Sequence, residues 1–181
     1  IVSRANLFLE RVEHLEFNVE DDAEEVDVKA TFMAEARFLR AYAYFELVRY
    51  WGRVPVATKS LSAAEAMSTP QSEAQDVYEQ VIIPDLQYAI ENMKDRAYTS
   101  SGGIAESGRA TLPAAQALLG RVYLTMAGFP LYDTSKLSLA KEVLGEVITY
   151  AEKNNKYWAT DGDTWQRIWI SDNDNKYHIF E

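Results

Sequence analysis

The sequence predicts an all-α, mainly helical chain, and three observations predict it. Five stretches carry apolar residues at helical spacing, glycines and prolines punctuate the gaps between them, and a strand-like alternation appears only near residue 180.

Residues 3–16 put Ala5, Phe8, Leu9, Val12 and Leu15 on one side and Arg4, Glu10, Arg11, Glu13 and His14 on the other, an amphipathic helix. The acidic run Glu20-Asp21-Asp22-Ala23-Glu24-Glu25 reads as a solvated turn and helix start, because carboxylates suit a helix N-terminus. It lacks the alternating ligand geometry of a calcium loop. The longest helix is expected over residues 28–50. Phe38, Ala41, Tyr42, Phe45 and Val48 form one stripe and Leu39, Ala43, Leu47 and Tyr50 another, the pattern of a helix sandwiched between neighbours. Gly52 suits the left-handed position past its end, and Pro55 stops continuation.

A polar loop follows, then a third helix in which Ser72-Glu73-Ala74-Gln75 reads as a capping box. Tyr78, Val81, Ile82, Leu86, Ala89, Ile90 and Met93 keep its period, and Pro84 inside the pattern predicts a kink or break. Residues 96–108, with Ser100-Ser101-Gly102-Gly103, form a loop. Thr111 caps a fourth helix with Pro113 in its first turn, and Gly128 and Pro130 end it. The fifth runs over residues 136–154 on a stripe of Leu137, Ala140, Leu144, Val147, Ile148 and Ala151. From Tyr157 the chain turns rich in Trp, Asp, Asn and Gly, and Lys176-Tyr177-His178-Ile179-Phe180 alternates as a short strand. Two regions are therefore expected: a helical core over 1–155 and the start of a loop-rich, truncated segment over 156–181. The chain opens directly into a helical pattern at Ile1 and ends at Glu181 inside an expected strand, as a segment of a longer protein would.

The fourth and fifth helices pair in the manner of a tetratricopeptide unit. Small Gly120 sits three residues before Tyr123, as Ala41 does before Tyr44 in the second helix; small residues let helices approach and the aromatic fills the groove. Such pairs stack into a scaffold. The connection over 128–135 is longer than a standard repeat allows.

Composition narrows the function. The formal net charge of −10 is wrong for a nucleic-acid binder, which needs Lys and Arg to displace counterions, and for a polybasic membrane patch. With no cysteine there is neither a disulfide nor a thiolate metal site. Purely apolar runs are only a few residues long, too short for a membrane-spanning helix.

The motif Glu35-Ala36-Arg37-Phe38-Leu39-Arg40-Ala41-Tyr42-Ala43-Tyr44-Phe45, followed by Leu47-Val48-Arg49-Tyr50-Trp51-Gly52-Arg53-Val54-Pro55, closely resembles the hallmark helix of the SusD/RagB family. Supporting matches follow in order: Arg4-Ala5-Asn6, Val77-Tyr78 with Asp85-Leu86, then Gly108-Arg109-Ala110-Thr111 with Ala117-Leu118-Leu119-Gly120-Arg121-Val122-Tyr123-Leu124. The resemblance implies a SusD-like α-α superhelix and a lipid-anchored protein at the cell surface, on the outer membrane. It implies capture of an oligosaccharide or other nutrient and delivery to a SusC-like TonB-dependent transporter, with no catalysis and no cofactor. The lipidated cysteine of the family is absent here, so an anchor would lie outside this segment, as would much of the ligand surface.

The chemistry-bearing residues fit capture. Arg37, Arg40 and Arg49 lie on an otherwise apolar helix, where pairing with Glu46 or with carbonyls is favoured over anion binding. Tyr42, Tyr44 and Phe45 read as packing. Trp158 and Trp165 are the candidate glycan-binding residues, with Trp169 beside them, because flat rings in a polar, irregular segment can stack on sugars; the competing role is to cover the edge of the helical core. Asp161-Gly162-Asp163 and Asp172-Asn173-Asp174-Asn175 start like calcium loops, but Trp165 and Lys176 stand where the next oxygen ligand is needed, so both read as turns. His14 and His178 match no zinc spacing, and no nucleophile elbow, phosphate loop or dinucleotide fingerprint is present. Two other functions stay open at this point, a tetratricopeptide-type peptide adaptor and a glycoside hydrolase, since many carboxylates are present and nothing singles out a pair.

Overall fold

A computed structural model describes residues 1–16, 28–93, 109–154, 158–159, 161–170 and 179–180, in two compact units, Ile1–Met93 and Lys94–Glu181. The expected acidic turn at 20–25, the loop at 96–108, the turn at 172–175 and His178 lie outside the described residues, as does most of the strand expected at 176–180. The described chain is mainly helical, as its periodicity predicts.

In the first unit, α1 (Val2–Val12) and α2 (Val28–Trp51) pack together, and α2 also packs on α5 (Ile83–Asn92). Phe38, Ala41, Tyr44, Phe45 and Val48 form the buried face of α2. The second expected stripe is open within this unit, since Leu39, Leu47 and Tyr50 are exposed. Tyr42, expected in the first stripe, is exposed as well. Past α2, Gly52 takes the left-handed conformation at φ 68° and its N–H bonds to Val48 O at 2.9 Å, the helix ending its position predicts.

The loop expected next contains a short helix, α3 (Ala63–Ser68), between two paired strands, β1 (Val54–Pro55) and β2 (Gln71–Ser72), with Val54 opposite Ser72. The capping box sits here: Ser62 Oγ accepts from Glu65 N–H, and Glu65 Oε2 accepts from Ser62 N–H at 2.8 Å. The box expected at Ser72 is absent, because Ser72 is paired in the ladder and Glu73, the residue at the cap of α4 (Ala74–Val77), makes no side-chain cap bond.

Pro84 does not break the third expected helix. Residues Tyr78–Ile82 widen into a π-helical turn in which Ile83 N–H reaches back to Tyr78 O, and Pro84 then falls in the first turn of α5, where no N–H is needed. Tyr78, the first residue of this turn, stands edge-on to Phe45 of α2 with ring centroids 6.4 Å apart.

In the second unit, α6 (Leu112–Ala127) packs on α7 (Lys136–Asn154). Thr111 Oγ1 accepts from Ala114 N–H at 3.4 Å and Pro113 lies in the first turn, as expected. A β-carbon on Gly120 would collide with Cγ and Cδ2 of Leu144, so the two helices approach through the missing side chain. The buried face of α7 is Ala140, Val143, Val147 and Ala151; Leu137 and Ile148, expected in the core, are exposed. Close approach at Gly120 favours a narrow face of small residues over a broad leucine stripe. Finally, α8 (Gly162–Ile170) is helical where an irregular segment was expected.

Candidate functional site

The hallmark stretch of α2 builds a buried polar cluster. Arg40 donates from Nε and Nη2 to the two carboxylate oxygens of Asp85 on α5, at 2.7 and 2.8 Å, a bidentate fork. Its Nη1 donates to Asn6 Oδ1 of α1 at 2.8 Å and to Thr58 O at 3.2 Å. Asn6 in turn donates to Ala57 O and Lys59 O, both at 2.9 Å. The Tyr44 hydroxyl accepts from Ala57 N–H at 2.7 Å and donates to Ala57 O at 3.1 Å, and burial pushes this phenol up. Three side chains from two helices thus fix the backbone of residues 57–59. Glu10 extends the clamp by accepting from Ser60 N–H at 2.6 Å, which holds its carboxyl below the usual range.

Arg37, one turn before Arg40, stands with Nη1 3.5 Å from Asp85 Oδ1 and its guanidinium 4.2 Å over the Tyr88 ring. Its Nε is buried with no hydrogen-bond partner. Arg49 pairs with Glu46 at 2.7 Å, the partner expected from sequence. The arginines of the hallmark helix therefore serve the fold. Asp85 and Asn6 were the members that sequence reasoning missed; an aspartate inside the apolar run Ile82-Ile83-Pro84-Asp85-Leu86 signals a buried carboxylate in need of a partner but does not say which.

Two exposed tryptophans lie on a different helix. Trp165 and Trp169 occupy successive turns of α8 with rings 5.8 Å apart at 73°, and are 57% and 70% exposed. Trp158, before the helix, is also exposed. The pairing of Trp165 with Trp169 follows from their four-residue separation on a helix. Neither ring has the burial expected of a side chain covering a core edge. Asp161 and Asp163 stand at the start of α8, with Trp165 N–H on Asp161 O at 3.0 Å. Acidic residues at this position suit the partial positive charge of a helix start. Among the described residues no three His, Asp or Glu side chains come together as metal ligands, and no helix is long and apolar enough to cross a membrane.

Residues 1–124 match the model of a family described as SusD-like, starch-binding, associating with the outer membrane. A SusD-like protein of Bacteroides ovatus is 34% identical over 122 residues, which is 66% of this chain and 21% of that protein. A SusD superfamily protein of Parabacteroides distasonis superposes with a TM-score of 0.71 at 30% identity, over 88% of this chain and 31% of its own. A laminarin-binding SusD-like protein does so with a TM-score of 0.63 at 32% identity, over 81% of this chain and 27% of its own. The chain thus spans about a fifth to a third of the length of these relatives.

Proposed function

The chain belongs to the SusD-like family, and from that premise we propose that it is part of a cell-surface lipoprotein that captures a glycan and passes it unchanged to a SusC-like, TonB-dependent transporter in the outer membrane. The observation that carries the capture half is the exposed Trp165–Trp169 pair, in a family described as starch-binding. Stacking on flat rings needs only a preformed surface and a few hydrogen bonds, whereas glycoside hydrolysis needs two positioned carboxylates with separated pKa values. Trp158 and Trp165, with Trp169, are the residues assigned to the glycan. Residues 156–181 then open the loop-rich part of the protein, with α8 as the element that presents the rings.

The delivery half is tested in detergent-solubilised outer membranes of the producing cell. Capture of this protein should bring down a TonB-dependent transporter. A protein that binds oligosaccharide but never co-purifies with a transporter would overturn delivery and leave capture standing; one that binds no oligosaccharide would overturn capture.

A further inference from the structure

The α6–α7 connection displays a second aromatic pair. Phe129 and Tyr132 stand edge-to-face with ring centroids 6.1 Å apart at 81°, and they are 79% and 66% exposed. The backbone beneath them is fixed. Tyr132 N–H bonds to Gly128 O at 2.8 Å, Asp133 N–H to Met126 O at 3.0 Å, and Thr134 N–H to Tyr132 O at 2.9 Å. Tyr132 itself sits at φ 51°, the left-handed region that a bulky residue rarely enters. A connection that only needed to reverse direction would take glycine there, as the chain does at Gly52 with φ 68°. The tyrosine ring does not offset this strain by burial, since most of it faces solvent. Strained conformations of this kind gather where a side chain must be held in place for a ligand.

We propose that this corner is a second saccharide-stacking subsite, taking the apolar face of a neutral pyranose on one ring and the edge of the sugar against the other. Two rings close to perpendicular suit a flat, thick ligand with one apolar face better than they suit a flexible chain. An acceptor for sugar hydroxyls stands beside them. Asp133 is held below the usual carboxylate range by the Ser135 hydroxyl, which donates to its Oδ1, and its Oδ2 is 3.7 Å from Lys136 Nζ. The proposal rests on the capture reading given above. The competing occupant is a protein surface, because Leu124 and Leu137 of the same two helices are also exposed.

The test titrates the full protein with maltoheptaose and, separately, laminarihexaose by calorimetry, alongside Tyr132→Gly, Phe129→Ala, Tyr132→Phe and Trp165→Ala. Tyr132→Gly removes the ring while relieving the backbone, so it should fold at least as well as the parent. For whichever sugar binds, Tyr132→Gly and Phe129→Ala should each weaken binding by roughly five- to tenfold, the scale of one lost ring contact, and Tyr132→Phe should not. If Trp165→Ala weakens binding while both turn variants bind like the parent, the subsite is overturned and the capture reading stands. If the parent binds neither sugar, both fall. Turn variants that keep full sugar affinity but lose a co-purifying protein would overturn the subsite in favour of a protein contact. Should Tyr132→Gly melt lower than the parent, Phe129→Ala decides.

Discussion

Arg40 places its nitrogens against Asp85, Asn6 and Thr58, so one guanidinium ties α1, α2, α5 and the 57–59 segment together. A cation this deeply buried is tolerable only while its fork is filled. Asp85→Ala leaves it unpaired and should cost about 3–5 kcal/mol by chemical denaturation; a variant as stable as the parent would contradict the role given to the pair. Tyr78 gives a second residue-scale prediction. Burial pushes its phenol from 10.0 up to about 12. A group whose folded pKa is raised contributes stability that is full below pH 10 and lost as pH rises toward 12. Melting temperature should therefore fall across that alkaline window, and Tyr78→Phe should flatten part of the fall that the parent shows. At this scale the sequence was partly legible. An arginine on an apolar helix demands a partner, and Glu46, three residues from Arg49, was visible as one. Asp85 was not, because its partner lies 45 residues away and no local pattern joins them.

Helices were more legible than their faces. The left-handed Gly52, the Thr111 cap and the early Pro113 act through the backbone next to them, so each is readable from a few neighbouring residues. Faces depend on which helix arrives opposite, so helical spacing points to Leu137 and Ile148 for the core of α7 while the structure buries Val143 there. The same limit hid the capping box at Ser62, since Ser72 carried an equally plausible local signal until strand pairing removed it. Trp165 and Trp169 fit a helix, but the adjacent Asp161-Gly162-Asp163 spoke for a turn; those aspartates in fact start the helix. Small residues at close contacts were legible. Ala41 is fully buried and Gly120 faces Leu144 with no room for a β-carbon. Replacing either with Leu should overpack the contact and cost about 1–3 kcal/mol. Gly120→Ala sets gained helix propensity, about 1 kcal/mol, against the collision with Leu144. Pairing it with Leu144→Ala should therefore lose less stability than the two changes summed. Strict additivity in denaturation midpoints would show that Gly120 does not set the approach.

For the whole molecule, the hallmark motif made the family readable because it encodes a buried, many-partnered cluster that leaves little freedom in α2. Ligand identity was not readable, because it depends on side chains at the surface, where the fold places few demands. The central claim is capture without transformation, on exposed rings rather than within a catalytic cleft. Its most direct test incubates the protein, as the cell makes it, with starch- and laminarin-type oligosaccharides and follows binding and chain-length distribution in the same samples. Saturable binding is expected, weakened by Trp165→Ala and Trp169→Ala, with every oligosaccharide recovered at its original length. Shortened products that vanish on replacing a single acidic residue would contradict it.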